Sequence, residues 1–342
     1  MYLGLYNFYN EYNKNKMLTD PSSPIGDDLS YPFLYLGKYL KENGHRVNTI
    51  DMDELKNFDA ILFLEFPGKN NPYFEKLINF NYKHLYLLNF EHDSTKPDNW
   101  ISSNHDYFRK IFTWNDDLVD NKKYIKINTS YKKPENLEFD ITSKNKLCTI
   151  IAGYKSSQHP LELYSERINA IRWFERNHPK DFDLYGIGWD TYNFKGKLSR
   201  LNRFEFLRKL FGPRFPSYKG KIKNKRDILK KYKFSICYEN AKDISGYITE
   251  KIFDCFFAGC IPVYLGASNI TKHIPENAFI DKRKFINYEE VYNFIKDMPE
   301  KEYKKYLENI KYFLLSDKFQ QFSVEYFAKT ITDNIIEDLD EK

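Results

Sequence analysis

The chain has 342 residues, 42% of them hydrophobic, which is too long for one small core and enough to fill two of ordinary size. A formal net charge of +5 is mild and gives no ground for a nucleic-acid partner. Its four cysteines, Cys148, Cys237, Cys255 and Cys260, form no CxxC pair, which argues against a disulfide framework or a zinc site and for buried reduced thiols.

The predicted elements begin with a short strand at 2–7 and a polar loop at 18–30. A helix follows at 31–44, with Gly44 as its stop signal. Strands are expected at 45–51, 59–66, 84–91, 110–114 and 124–127. Residues 129–147 are polar, without a clear period, and read as a linker. A second alternation follows: a strand at 147–153, a helix at 161–177, and strands at 182–186 and 234–239. It continues with a helix from Tyr247 to Gly259 and a strand at 260–266. Residues 288–338 read as two or three helices. This pattern predicts an α/β fold of two facing Rossmann-like domains with a cleft between them. The expected division is 1–135, 145–285 and a helical C-terminal part at 286–342.

The first 16 residues lack a basic segment followed by an apolar run, so no signal peptide is expected. No stretch approaches the roughly 20 apolar residues of a membrane span. The expected location is cytoplasmic, with attachment to a membrane at most peripheral. Residues 195–233 hold 15 Lys/Arg against two acids, an excess of 13. Within them, 198–212 has the pattern of a basic amphipathic helix, a candidate for contact with an anionic membrane carrying a lipid-linked acceptor. A solvated basic surface explains the charge equally well.

The segment 231–266 carries the most chemistry. A buried strand ends at Tyr238, Glu239 and Asn240, and a polar loop leads into the helix. The helix sets Ile248, Ile252, Phe253, Phe256 and Phe257 on one face, with Glu250 and Lys251 off it near its start. A lysine there opposes the helix dipole at about 0.3–1 kcal/mol, which makes sense if an anion is bound. Spacing alone slightly favours a solvated helix face with an ordinary Glu and Lys, because strand–loop–helix units are common.

This segment resembles the signature of the α1,3-fucosyltransferases of glycosyltransferase family 10. The matching residues are Glu239, Asn240, Tyr247, Thr249, Glu250, Lys251, Gly259, Pro262 and Gly266, followed by Phe279, Ile280, Asp281 and Phe285. Tyr218, Gly220 and Lys225 resemble the lead-in to it. The resemblance implies a GT-B fold, a GDP-fucose donor, inverting transfer to a glycan hydroxyl, and neither a bound metal nor any other cofactor. It implies a donor site of Arg167, Lys225, Glu239, Asn240, Tyr247, Glu250 and Lys251. Asn240, Tyr247, Lys251 and Arg167 would meet the diphosphate, and Glu250 the ribose or fucose.

Inverting transfer needs a general base. Glu91, ending the strand at 84–91, resembles the family's strand-end glutamate, with Glu65 and Asp93 as alternatives. Asp51 and Asp53 form a DxD but read as loop carboxylates. Two other readings remain: the same chemistry with another GDP-sugar, and a non-catalytic nucleotide or nucleic-acid binder. The second leaves the 234–285 signature unexplained.

Overall fold

The structure, a computed structural model, describes residues 1–21 and 30–341. Most of the loop expected at 18–30 lies outside them. The strands are β1 (Tyr2–Tyr6), β2 (Arg46–Thr49), β3 (Ala60–Leu64), β4 (Leu85–Asn89), β5 (Lys110–Thr113), β6 (Tyr124–Lys126), β7 (Lys146–Ile151), β8 (Phe182–Tyr185), β9 (Tyr232–Tyr238), β10 (Ile261–Leu265) and β11 (Ile280–Asp281). The longer helices are α1 (Tyr31–Glu42), α2 (Pro72–Asn79), α3 (Tyr164–Asn177), α4 (Glu250–Phe257), α5 (Tyr288–Lys296), α6 (Glu300–Leu315) and α7 (Val324–Asp340).

The chain forms two compact units. Unit 1 is Met1–Lys133, Ser245–Ile248 and Ser316–Lys342; unit 2 is Pro134–Ile244 and Thr249–Leu315. Residues 286–342 are thus shared out between the units, and a short stretch of the expected donor segment belongs to unit 1.

Unit 1 is a parallel sheet in the order β2-β1-β3-β4-β5-β6. Every residue of β3 and β4 is buried, as expected of parallel strands covered on both faces. One face is closed by α1 and α7. Leu36 and Leu40 of α1 meet Phe327, Ala328, Ile331 and Ile335 of α7 over Leu3, Leu5, Leu62 and Leu64. Helical spacing puts those α7 residues on one stripe, and the Ser323 hydroxyl caps the helix by accepting from the Tyr326 N–H. The far end of α7 is held by Asp338, 2% exposed, which accepts from the Tyr86 hydroxyl (2.9 Å). It also pairs with Arg109 (3.1 Å) and Lys110 (3.1 Å).

Unit 2 is a second parallel sheet, ordered β11-β10-β9-β7-β8. Counted from its own first strand this is the order 2-1-3-4-5, the same as the first five strands of unit 1. In such sheets the order reverses beside the first strand, and ligands gather at the carboxyl ends there. In unit 2 that point lies between β7 and β9, and in unit 1 between β1 and β3. All four cysteines are buried and unbridged.

Two expected helices differ. The helix expected from Tyr247 starts at Glu250, because Ser245–Ile248 is drawn into unit 1. Its expected stop holds, with Gly259 at φ +60° just past the end. The basic helix at 198–212 is broken into a 3₁₀ stretch, Gly196–Arg203, and a six-residue helix, Glu205–Leu210. Asn202 explains the break: its side-chain amide bonds both the N–H (2.8 Å) and the C=O (2.9 Å) of Phe194, which ties the chain away from a helical path. Among the described residues no helix is long and apolar enough to cross a membrane.

Candidate donor site and candidate base

In unit 2 the carboxyl end of β9 delivers Glu239 and Asn240 to the switch point. Glu239 is 0% exposed. Its carboxylate accepts from the Thr249 N–H (2.8 Å) and the Thr249 hydroxyl (2.6 Å), and pairs with Lys251 (3.2 Å). Expected among the donor contacts, it holds the start of α4 through Thr249 and pairs with Lys251. Its signal in the sequence, an acid just past a buried strand, is the same for either role.

Glu250 and Lys251 occupy the first two positions of α4, closer to its start than an onset at Tyr247 would put them. Lys251 lies 3.4 Å from Glu250. Burial works against the charge on Lys251, but Glu250 and Glu239 outweigh it and hold the ammonium above its ordinary range. Burial likewise opposes the charge on Glu250, and Lys251 and Lys225 more than compensate, holding that carboxylate well below its usual range. Lys225 sits 3.7 Å from Glu250 and 2.9 Å from Asp254. Burial pushes Asp254 up to about 6 despite Lys225 beside it. Asp254 was not foreseen, although its spacing of four from Glu250 on one helix marks two acids able to share a cation. Lys225, expected to bind donor, thus braces the two acids of α4.

Arg167 projects from α3, which follows β7, and is 4% exposed. One guanidinium nitrogen donates to the carbonyls of Tyr238 (2.7 Å) and Glu239 (2.7 Å) and to the Asn240 side-chain oxygen (3.0 Å). The next residues continue the bracing: Leu163 N–H donates to Asn240 O (2.9 Å), and Lys242 N–H to Leu161 O (2.9 Å). Arg167, Glu239, Asn240, Glu250 and Lys251 therefore converge at one carboxyl end, with Lys225 behind them.

Tyr247 does not belong to that cluster's unit. Its ring is buried in unit 1, 4.8 Å from the Trp114 ring and 5.1 Å from His92. Gly246 beside it has φ +79°, and a Cβ there would stand 2.3 Å from the Trp114 carbonyl oxygen, so only glycine lets this stretch dock.

The base candidates all lie past β3 and β4 of unit 1. Glu91 is partly buried. Asp93 faces His92 at 2.8 Å. Glu65 is 4% exposed, and both carboxylate oxygens accept hydrogen bonds, from the Phe90 and Glu91 N–H groups and from Asn99. Burial pushes Glu65 up to about 7, against the lowering effect of Asn99, and the nearby Glu91 charge adds to the rise. Both oxygens of Glu65 are thus engaged by protein donors. Asp51, expected in a loop, lies in the 3₁₀ turn Ile50–Met52 and accepts from Lys14 N–H (2.9 Å); Asp53, just past it, accepts from Asn57 (2.7 Å) and Tyr2 (3.1 Å).

Comparison with known proteins bears on this geometry. Residues 197–333 match the family described as glycosyltransferase family 10 (fucosyltransferase) C-term. The chain is 39% identical over 75 residues to an alpha-(1,3)-fucosyltransferase of Helicobacter pylori, covering 22% of this chain and 16% of that protein. It is 32% identical over 130 residues to the mouse 4-galactosyl-N-acetylglucosaminide 3-alpha-L-fucosyltransferase 9, covering 35% of each. These matches span about a third or less of the curated relatives' length. The fold extends further: a crystal structure of an alpha1,3-fucosyltransferase with GDP-fucose superposes with a TM-score of 0.58 at 16% identity, over 98% of this chain and 90% of that one. The likeness is one of fold: two parallel α/β sheets of the GT-B type. The family match covers residues 197–333, the stretch that holds Lys225, Glu239, Asn240, Glu250 and Lys251.

Proposed function

We propose that the chain is an inverting fucosyltransferase that moves L-fucose from GDP-fucose to a hydroxyl of a glycan. The observation that carries this reading is the charge cluster at the start of α4, Lys251 held between Glu239 and Glu250, inside the family 10 domain. Lys251 supplies positive charge for the diphosphate at a helix start, where backbone N–H groups also favour an anion. Arg167 fixes Asn240 and adds a second cation close by. Glu250, kept ionised, accepts hydrogen bonds from ribose or fucose hydroxyls. Glu91 takes the proton from the acceptor hydroxyl as its oxygen bonds to fucose C1. The C1–O bond to GDP breaks on the opposite side, and GDP leaves with its charge met by the cations, with no metal required.

Glu91→Gln should lower transfer by about 10²–10⁴-fold, the usual worth of a general base, with GDP affinity unchanged. Full activity in that variant would refute the base assignment. A GDP-sugar other than fucose on the same site is the second reading, since the diphosphate chemistry is common to both.

The acceptor is proposed to be an oligosaccharide or a lipid-linked glycan. For the latter, a peripheral seat on an anionic membrane, on the cytoplasmic side, is supported by Leu198, Phe206, Leu210 and Phe211. All four are more than half exposed among Arg200, Arg203, Arg208 and Lys209. Vesicles with phosphatidylglycerol should bind the protein at low salt, and Phe206→Glu with Leu210→Glu should abolish binding. Equal binding to neutral vesicles, or none, would overturn the membrane reading.

A further inference from the structure

Glu65 follows β3 directly and has φ +63°. A non-glycine residue in left-handed backbone costs on the order of 1–3 kcal/mol and persists only where its surroundings demand it. The demand comes from the loop after β4. One Glu65 oxygen accepts from the N–H of Phe90 (3.1 Å) and of Glu91 (3.1 Å). The other accepts from the Asn99 side chain. Asn99 is locked in turn: its side-chain oxygen accepts from the Phe66 N–H (2.7 Å), and its carbonyl accepts from Asn89 (3.1 Å) and lies 2.6 Å from His105 Nε2. The same two peptides are gripped from their carbonyl side by a pair of indoles. Trp114 donates to Phe90 O (2.9 Å) and Trp100 to Glu91 O (3.1 Å). Every backbone polar group of the Phe90–Glu91 pair therefore has a side-chain partner.

Ordinary chain packing does not require this. A strand end is usually satisfied by the next turn or by water, and a buried carboxylate is an expensive way to meet two N–H groups. A base must be held within a few tenths of an ångström of its productive place, and a displacement of about 1 Å can cost 10²-fold in rate.

We infer that Glu65 is a positioning residue for Glu91: its buried, strained carboxylate fixes the Phe90–Glu91 backbone and so aims the Glu91 side chain. This rests on the reading of Glu91 as the base. Glu65 does not itself take the acceptor proton, because its oxygens are engaged below the surface.

The test measures GDP release from GDP-fucose, with water as the acceptor, together with GDP affinity. Glu65→Ala should lower the release rate at least about tenfold with GDP affinity within about threefold of the parent. Glu65→Gln, which keeps an acceptor for both N–H groups, should recover most of the loss. In a Glu91→Gln background, adding Glu65→Ala should cost nothing further, because the two residues act as one unit. Losses that multiply would overturn the inference, as would equal loss in the Gln and Ala variants. If Glu91→Gln leaves release intact, the base reading falls. A crystal structure of Glu65→Ala then judges positioning separately: a shifted Phe90–Glu91 peptide upholds it and an unmoved one overturns it.

Discussion

Removing the Glu239 carboxylate should destabilise unit 2 through a charge left without its partner. In Glu239→Ala the Thr249 N–H and hydroxyl lose their acceptor, and Lys251 loses an ion pair at 3.2 Å. Breaking a buried pair typically costs about 3–5 kcal/mol. Here Glu250 remains 3.4 Å from Lys251, and the lysine side chain is 21% exposed, so the low end, about 3 kcal/mol, applies. For a unit of this size that is a fall of roughly 6–12 °C in Tm. Thermal unfolding followed by calorimetry reads it, with the units resolved as separate transitions where they separate. A control isolates the cause. In the double variant Glu239→Ala, Lys251→Met the under-paired ammonium is gone while Glu250 keeps Lys225 at 3.7 Å, so part of the lost stability should return, about 1 kcal/mol. A Tm within 2 °C of the parent for the single variant, roughly 1 kcal/mol or less on the same scale, would refute the account of Glu239. So would a double variant weaker than the single one.

Two further outcomes follow from unit 1. Asp338→Ala strips partners from the Tyr86 hydroxyl, Arg109 and Lys110, and should cost about 2–4 kcal/mol, read as a lower denaturant midpoint. Glu65, with its proton affinity raised to about 7 by burial, contributes stability that is full below its unfolded value near 4.5 and is lost as pH rises through 7. The loss is on the order of 3 kcal/mol between pH 5 and 8. Its titratable neighbours are Glu91, across the two shared N–H bonds, and Tyr9, on which both carboxylates act. Glu65→Gln should flatten the fall in Tm between those pH values, and an unchanged slope would contradict the assignment.

The fold was legible because parallel strands buried on both faces write themselves as unbroken apolar runs, as in Ala60–Leu64 and Leu85–Asn89. The start of α4 was not, because Tyr247 and Ile248 continue the helical period yet belong to unit 1, where Tyr247 packs against Trp114 and His92. Nothing local distinguishes an apolar residue buried by its own helix from one buried by another unit. The break at Phe204 depends on Asn202 reaching back to Phe194, a contact that periodicity does not encode. At the candidate site, Glu250 and Lys251 are singled out by position, and Arg167 and Glu91 by resemblance. Whether a strand-end acid faces ligand or supports a neighbour depends on burial and backbone angle. That is why Glu239 read as a contact, and why Glu65 read as a rival base rather than as the residue that holds one.

The central claim, a GDP-fucose site built around Lys251, is tested most directly by donor turnover. Purified protein is incubated separately with GDP-fucose, GDP-mannose and UDP-glucose, and release of the nucleoside diphosphate is measured for the parent and for Lys251→Met. The account predicts release from GDP-fucose above both other donors, with release and GDP affinity falling together in Lys251→Met. Turnover of UDP-glucose with GDP-fucose neither bound nor hydrolysed, or GDP affinity untouched by Lys251→Met, would contradict it.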